Sequence, residues 1–365
     1  MPSNLCWNKS YYFVGMIDYK FSVFVDCGAP SLYNRLSRKT GTDANVMGTH
    51  FKHRKYDTFS YVDLPEYIEY RDKYVQFLKE HEKSINIFSN LDVINNPTLT
   101  LKNQKIIESK DVFPIPVFHL GSDVSYLREY VKNYEYIAIG GLVPNPTSVL
   151  IPALDRLWRE ELIDEKGFPK VKVHGFACTS FPLMYRYPWY SVDSATCLKL
   201  GMYGKIYLPE YRSMRLNMLA VSSRDIKVDD RVTKGVQREL NRRAEKWNTD
   251  LTCLSENITE RAIWNYLVFL EQIQTYIPNW PWSLFNRRTK STSTGEKLNF
   301  YLAGNFSKKE EKVLCEKLEE QAIPENQRFR LLSFWYREYT AYRLNLRNET
   351  IIRRSSRKRK NNTRF

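Results

Sequence analysis

Asp26, Asp92 and Asp193 each close a short apolar, β-rich run: VFVD (23–26), NIFSNLD (86–92) and WYSVD (189–193). Core packing does not select an acid there, because a buried carboxylate without partners is costly. A single Asp after a strand is ordinarily the N-cap of the next helix. Three of them, with the glycine pair of IGGL (139–142) and the histidine that ends PVFH (116–119), point instead to groups converging on one site. Carboxylates gathered in that way can exchange protons and accept hydrogen bonds.

The elements that must position these groups are legible as an alternation. Runs 21–26, 85–92, 113–118, 136–140, 171–176, 189–193, 205–207 and 218–222 are predicted as strands. Helical spacing appears between them, over 64–82 with Tyr67, Tyr70, Tyr74, Phe77 and Leu78 on one face, and over 149–162 with Leu150, Leu154, Leu157 and Trp158. Eight β-runs with intervening helices predict an α/β fold, a (β/α)8 TIM-like barrel, with a doubly wound open sheet as the alternative. In a barrel, functional groups collect at the carboxyl ends of the strands, where the three acids lie. The predicted organisation is a catalytic barrel over 1–223, a helical accessory region over 224–342 packed on it, and a basic, disordered tail over 343–365. Helices are expected at 232–247, 257–276, 308–320 and 327–346.

The chain has 365 residues, 56 Lys and Arg against 41 Asp and Glu, and a net charge of +15, which predicts a polyanionic partner. In the tail, nine basic residues stand against Glu349 alone. Arg353, Arg354, Arg357, Lys358, Arg359 and Lys360 are its candidate nucleic-acid contacts, while a solubility tail or an address signal is the bland alternative. A basic loop over 35–55 and the cations Arg238, Arg242 and Arg243 could also follow phosphates. Apolar runs such as 11–17 and 136–142 are too short to span a bilayer, and the opening residues lack a secretory signal, so no membrane partner and a cytoplasmic location are expected. Six dispersed cysteines suggest reduced thiols rather than a disulfide scaffold. His50 and His53 have no thiol pair nearby, and neither a P-loop nor a dinucleotide fingerprint is present, so neither a metal nor a cofactor is expected.

The runs FVDCGAPS (24–31), SNLDVI (89–94), PIPVFHLG (114–121), YIAIGGL (136–142) and HGFACTSFPLMYRYPWYSVDSATCL (174–198) stand in the order seen in tRNA-guanine transglycosylases. Together they resemble more closely the phage and bacterial DNA-guanine transglycosylases of the DpdA type. The resemblance covers roughly residues 13–222. It implies a (β/α)8 barrel that exchanges guanine in DNA for a free 7-deazaguanine base through a covalent glycosyl-enzyme intermediate. It implies Asp193 as the nucleophile on the sugar C1′ and Asp26 as general acid/base. Here the loop after Asp26 reads DCGAPS, and Cys27 and Pro30 depart from the family's DSGGF-like pattern. Asp92 would recognise the base through its N1–H and 2-amino group. Gly140, Gly141 and Leu142 form the family's GGL turn, where a backbone N–H of Gly141 or Leu142 would donate to O6. His119 stands where the tRNA enzymes place a Gln toward the same oxygen. His174 is expected to be a satisfied core histidine.

The zinc cluster that follows the barrel in the tRNA enzymes has no counterpart, since beyond residue 225 only Cys253 and Cys315 remain and no His occurs. This favours DNA over tRNA. Aromatics near the site, Tyr33, Tyr187, Trp189 and Tyr190, are candidates to stack on a flipped base, although most aromatics are expected in the core. The expected role is DNA modification that hides a genome from restriction, in the host cytoplasm if the chain is phage-encoded, with a homodimer possible. An RNA substrate and a catalytically silent nucleic-acid-binding barrel remain the alternatives.

Overall fold

β-branched and aromatic residues make the strands, and the breaks between them fall at Gly, Pro and Asn. The computed structural model describes residues 22–40, 61–94, 96–165, 167–210, 214–222, 234–277, 299–303, 313 and 330–334. Its strands are β1 (Ser22–Asp26), β2 (Ile87–Phe88), β3 (Val117–His119), β4 (Tyr136–Gly140), β5 (Lys172–Gly175), β6 (Ser191–Ser194), β7 (Lys205–Pro209), β8 (Leu216–Ala220), β9 (Asn299–Ala303) and β10 (Arg330–Phe334). The helices are α1 (Ala29–Thr40), α2 (Pro65–Glu80), α3 (Pro97–Glu108), α4 (Val124–Asn133), α5 (Thr147–Leu157), α6 (Phe181–Arg186), α7 (Thr196–Met202), α8 (Lys234–Lys246), α9 (Leu251–Glu256) and α10 (Ile258–Tyr276). A π turn, Trp158–Leu162, extends α5.

Local chemistry fixes the helix starts. In α2, a proline opens the first turn, and the face of Tyr67, Tyr70, Tyr74, Phe77 and Leu78 is buried as its spacing predicts. Phe77 and Leu78 on that face each contribute roughly 1.5–3 kcal/mol by leaving water. Asn96 caps α3 by accepting from the Leu99 N–H, Asp123 caps α4 through Ser125, and Asn257 caps α10 through Thr259 and Glu260. α10 is buried on most of its circumference and packs on α7 and β7.

The fold is mixed α/β, built on an eight-stranded parallel sheet in the order β2-β1-β10-β9-β6-β5-β4-β3. Its two end strands also meet. Ser89, just after β2, bridges in parallel to Ile115, just before β3, with Asn90 N–H donating to the Ile115 carbonyl and Ile115 N–H to that of Phe88. Phe24 of β1 and His174 of β5 stack with ring centroids 4.5 Å apart. Those strands lie four places apart in the sheet, about 19 Å along a flat one, so the sheet curls strongly.

Two expectations are corrected. The runs predicted at 205–207 and 218–222 as the last strands of the sheet form β7 and β8, which pair antiparallel with each other in a separate sheet. Alternating burial along β7 is the mark of a half-wet antiparallel strand, whereas β6 is buried throughout. The seventh and eighth strands of the large sheet come instead from β9 and β10. The helices expected at 232–247 and 257–276 are present as α8 and α10, whereas a strand occupies 330–334 where a helix was expected over 327–346. The tail 343–365, with Arg353, Arg354, Arg357, Lys358, Arg359 and Lys360, lies outside the described residues, as do His50, His53 and the helix expected at 308–320 apart from Val313. Among the described residues, no helix is long and apolar enough to cross a membrane.

Candidate active site

The parallel arrangement brings the carboxyl ends of the strands to one side of the sheet, and the groups singled out in the sequence meet there. Asp26 is the last residue of β1, Asp92 lies four residues past β2, His119 ends β3, Gly140 ends β4, and Asp193 is the third residue of β6. All of them, with Gly141 and Leu142, line one cavity of about 440 Å³, within the usual span for small-molecule sites.

The three carboxylates have different surroundings. Asp193, 5% exposed, has two nitrogens on a single oxygen, Oδ1: the Ala177 N–H donates at 2.8 Å and His174 Nε2 lies 3.2 Å away. Ala177 reaches it from the left-handed region, φ 55°, a conformation that costs a non-glycine residue free energy and fits the backbone strain found at functional sites. Asp92 is held on both oxygens, with the Cys27 thiol donating to Oδ1 at 3.3 Å and His119 Nε2 2.8 Å from Oδ2. Among the described residues Asp26 has the distant Gly28 N–H, 3.3 Å from Oδ1, and the neighbouring Cys27 thiol.

Asp26 accordingly holds its proton. Burial, then the negative charges of Asp193 and Asp92, push its carboxyl up to about 7, and the Gly28 N–H and Cys27 thiol offset only part of this. At neutral pH it is poised between acid and base. The neighbouring thiols are no rival nucleophiles: burial pushes Cys178 up to about 12, and burial with Asp92 and Asp26 drives Cys27 well above its ordinary value.

Close packing explains the glycines. A Cβ on Gly140 would lie 3.0 Å from His119 Cδ2, so glycine lets the imidazole approach Asp92. Gly141 has φ 77°, the left-handed region where glycine is unstrained. Asn145 fixes the turn by donating to the carbonyls of Gly141 and Leu142.

Several aromatics expected nearby are not at the cavity. Tyr33, Tyr187 and Trp189 are fully buried in the core, and Tyr190 packs edge-on against Tyr136. Phe176 lines the cavity instead, with Lys199 of α7 at its edge. Phe176 directly follows β5, the same strand-end signal that marked the three acids, and Lys199 is the fourth residue of α7, six residues after Asp193. His174 is a fully buried, hydrogen-bonded histidine as expected, but one of its partners is Asp193. Arg242 and Arg243 are ion-paired with Glu239, and Arg243 also with Glu271, so they are occupied within the fold.

An arrangement of this kind can cleave and re-form a bond that leaves carbocation character behind: one carboxylate free to attack, one acid able to give and retake a proton, and a third with a histidine to read a planar polar ligand. Compared with known proteins, the chain matches no family model, no curated protein and no solved structure.

Proposed function

We propose that the chain is a DNA-guanine transglycosylase, which exchanges guanine in DNA for a 7-deazaguanine, and that its parallel sheet is a closed (β/α)8 barrel with β7–β8 as an insertion. The joined end strands, and the order of the strands around the sheet, support the barrel. The observation that carries the function is the different surroundings of three carboxylates lining one cavity: Asp193 beside the Ala177 N–H and His174, Asp92 beside Cys27 and His119, and Asp26 with the Gly28 N–H at hydrogen-bond distance and its carboxyl pushed up by burial and the other two acids.

In this reading, an Asp193 oxygen attacks C1′ as the bond from C1′ to guanine N9 breaks. Asp26 delivers its proton to the departing base, leaving an aspartyl-deoxyribose ester. Guanine leaves and the 7-deazaguanine enters. Asp26, now a carboxylate, removes the proton from its N9, and that nitrogen attacks C1′ and releases Asp193. No energy source or redox change is needed. Asp92 and His119 would read the base edge, the Gly140–Gly141–Leu142 turn would donate to O6, and Phe176 is the aromatic placed to stack. The net charge of +15 fits a polyanionic substrate.

The test is incubation with duplex DNA, with tRNA and with a free 7-deazaguanine, followed by nucleoside mass analysis of each polymer. The base should appear in DNA and not in tRNA, and Asp193→Ala should abolish its appearance. Incorporation in tRNA alone makes RNA the substrate, and none in either polymer leaves a silent nucleic-acid-binding barrel.

A further inference from the structure

His174 and Ser191 lie behind the cavity wall rather than on it, and they form a polar string in an otherwise apolar interior. Tyr136 OH and Ser191 Oγ are hydrogen-bonded, Ser191 Oγ lies 2.6 Å from His174 Nδ1, and His174 Nε2 lies 3.2 Å from Asp193 Oδ1. The imidazole is clamped on both sides, stacked on Phe24 and met edge-on by Phe176 at 4.7 Å. It is 0% exposed, so it can neither rotate freely nor trade these partners for water.

From this geometry we propose that His174 is a positioning residue: as the neutral Nε2–H tautomer it donates to Asp193 Oδ1 and so presents Oδ2 to the cavity as the attacking atom. In this proposal the string runs in one direction. Tyr136 O–H donates to Ser191, Ser191 O–H donates to His174 Nδ1, and the remaining ring proton sits on Nε2, aimed at Asp193. The Ala177 N–H points at the same oxygen. Two donors on Oδ1 tie down that oxygen, and among the described residues no donor engages Oδ2. One carboxylate oxygen is thus anchored, and in this proposal the other is the one left to attack. Tyr136 and Ser191 touch neither cavity nor base, and their part is to choose the tautomer.

The catalytic half of this inference rests on the transglycosylase reading, while the tautomer does not. The first experiment is therefore made without substrate: nitrogen-15 NMR of the imidazole in the wild-type chain and in Ser191→Ala. Nε2 should carry the proton and Nδ1 should be bare in the wild type, and the preference should weaken when the serine hydroxyl is removed. A doubly protonated ring, or an Nδ1–H ring, overturns the proposal whatever the enzyme does.

The second experiment compares exchange rates. His174→Phe keeps the stacked ring and removes both nitrogens, whereas His174→Gln keeps an N–H at similar reach. The phenylalanine variant should lose about 100-fold in kcat with KM nearly unchanged, the size of effect expected when a reacting group drifts by about an ångström. The glutamine variant should recover much of that loss. Equal losses in both, or a loss in KM alone, would make the histidine merely structural. If the wild-type chain performs no exchange, the functional reading fails, and the NMR result still decides the tautomer.

Discussion

Asp26→Asn should make the protein more stable, and increasingly so as the pH rises. The carboxyl titrates near 3.8 in an unfolded chain and at about 7 in the folded one. Folding therefore binds its proton more tightly, and the stability tied to this group is fully present below pH 3.8 and is lost as pH rises through 7. The gap between those two values amounts to about 4 kcal/mol at high pH. Somewhat under half of it has been lost by pH 5, so the interval from pH 5 to pH 8 contains about 2–3 kcal/mol. The asparagine carries no charge at any pH and avoids the whole loss. Urea unfolding of the wild type and of Asp26→Asn should give a stability difference that grows by about 2–3 kcal/mol from pH 5 to pH 8, with equal m-values. The same substitution should abolish base exchange, because it removes the acid. Parallel stability curves from pH 5 to pH 8 would refute the reasoning, since they would mean that Asp26 titrates alike in both states.

Three further outcomes follow from the same site. Asp92→Asn removes one of the charges that hold the Asp26 proton, so the alkaline limb of kcat/KM should move toward lower pH while KM for the incoming base rises by about tenfold or more. Gly140→Ala places a methyl 3.0 Å from His119 Cδ2 and should displace the imidazole from Asp92, raising the same KM with little change in melting temperature. Lys199→Ala should weaken DNA binding evenly across sequences and lower the slope of log K against log salt by about 1, read by titration at several salt concentrations, while leaving affinity for the free base unchanged.

The division of labour among Asp26, Asp92 and Asp193 is where sequence legibility ends. That each acid sits at or just past the carboxyl end of a strand was readable, because an acid at the end of VFVD or WYSVD breaks an apolar pattern that packing alone would have continued. The stripe of α2 was readable for the same reason, being local. β9 and β10 were not, because NFYLA and RLLSF are five-residue runs whose strand character comes from pairing with β6 and β1 more than 100 and 300 residues away, which no local window contains. The roles of the acids are non-local in the same way. Asp193 is distinguished by donors from β5 and the residue two past it, Asp92 by a thiol after β1 and an imidazole on β3, and Asp26 by the scarcity of either. Identical side chains thus acquire different proton affinities from what neighbouring strands bring alongside them. Moving the donors, as in His174→Phe or Gly140→Ala, should change the chemistry without touching any of the three carboxylates.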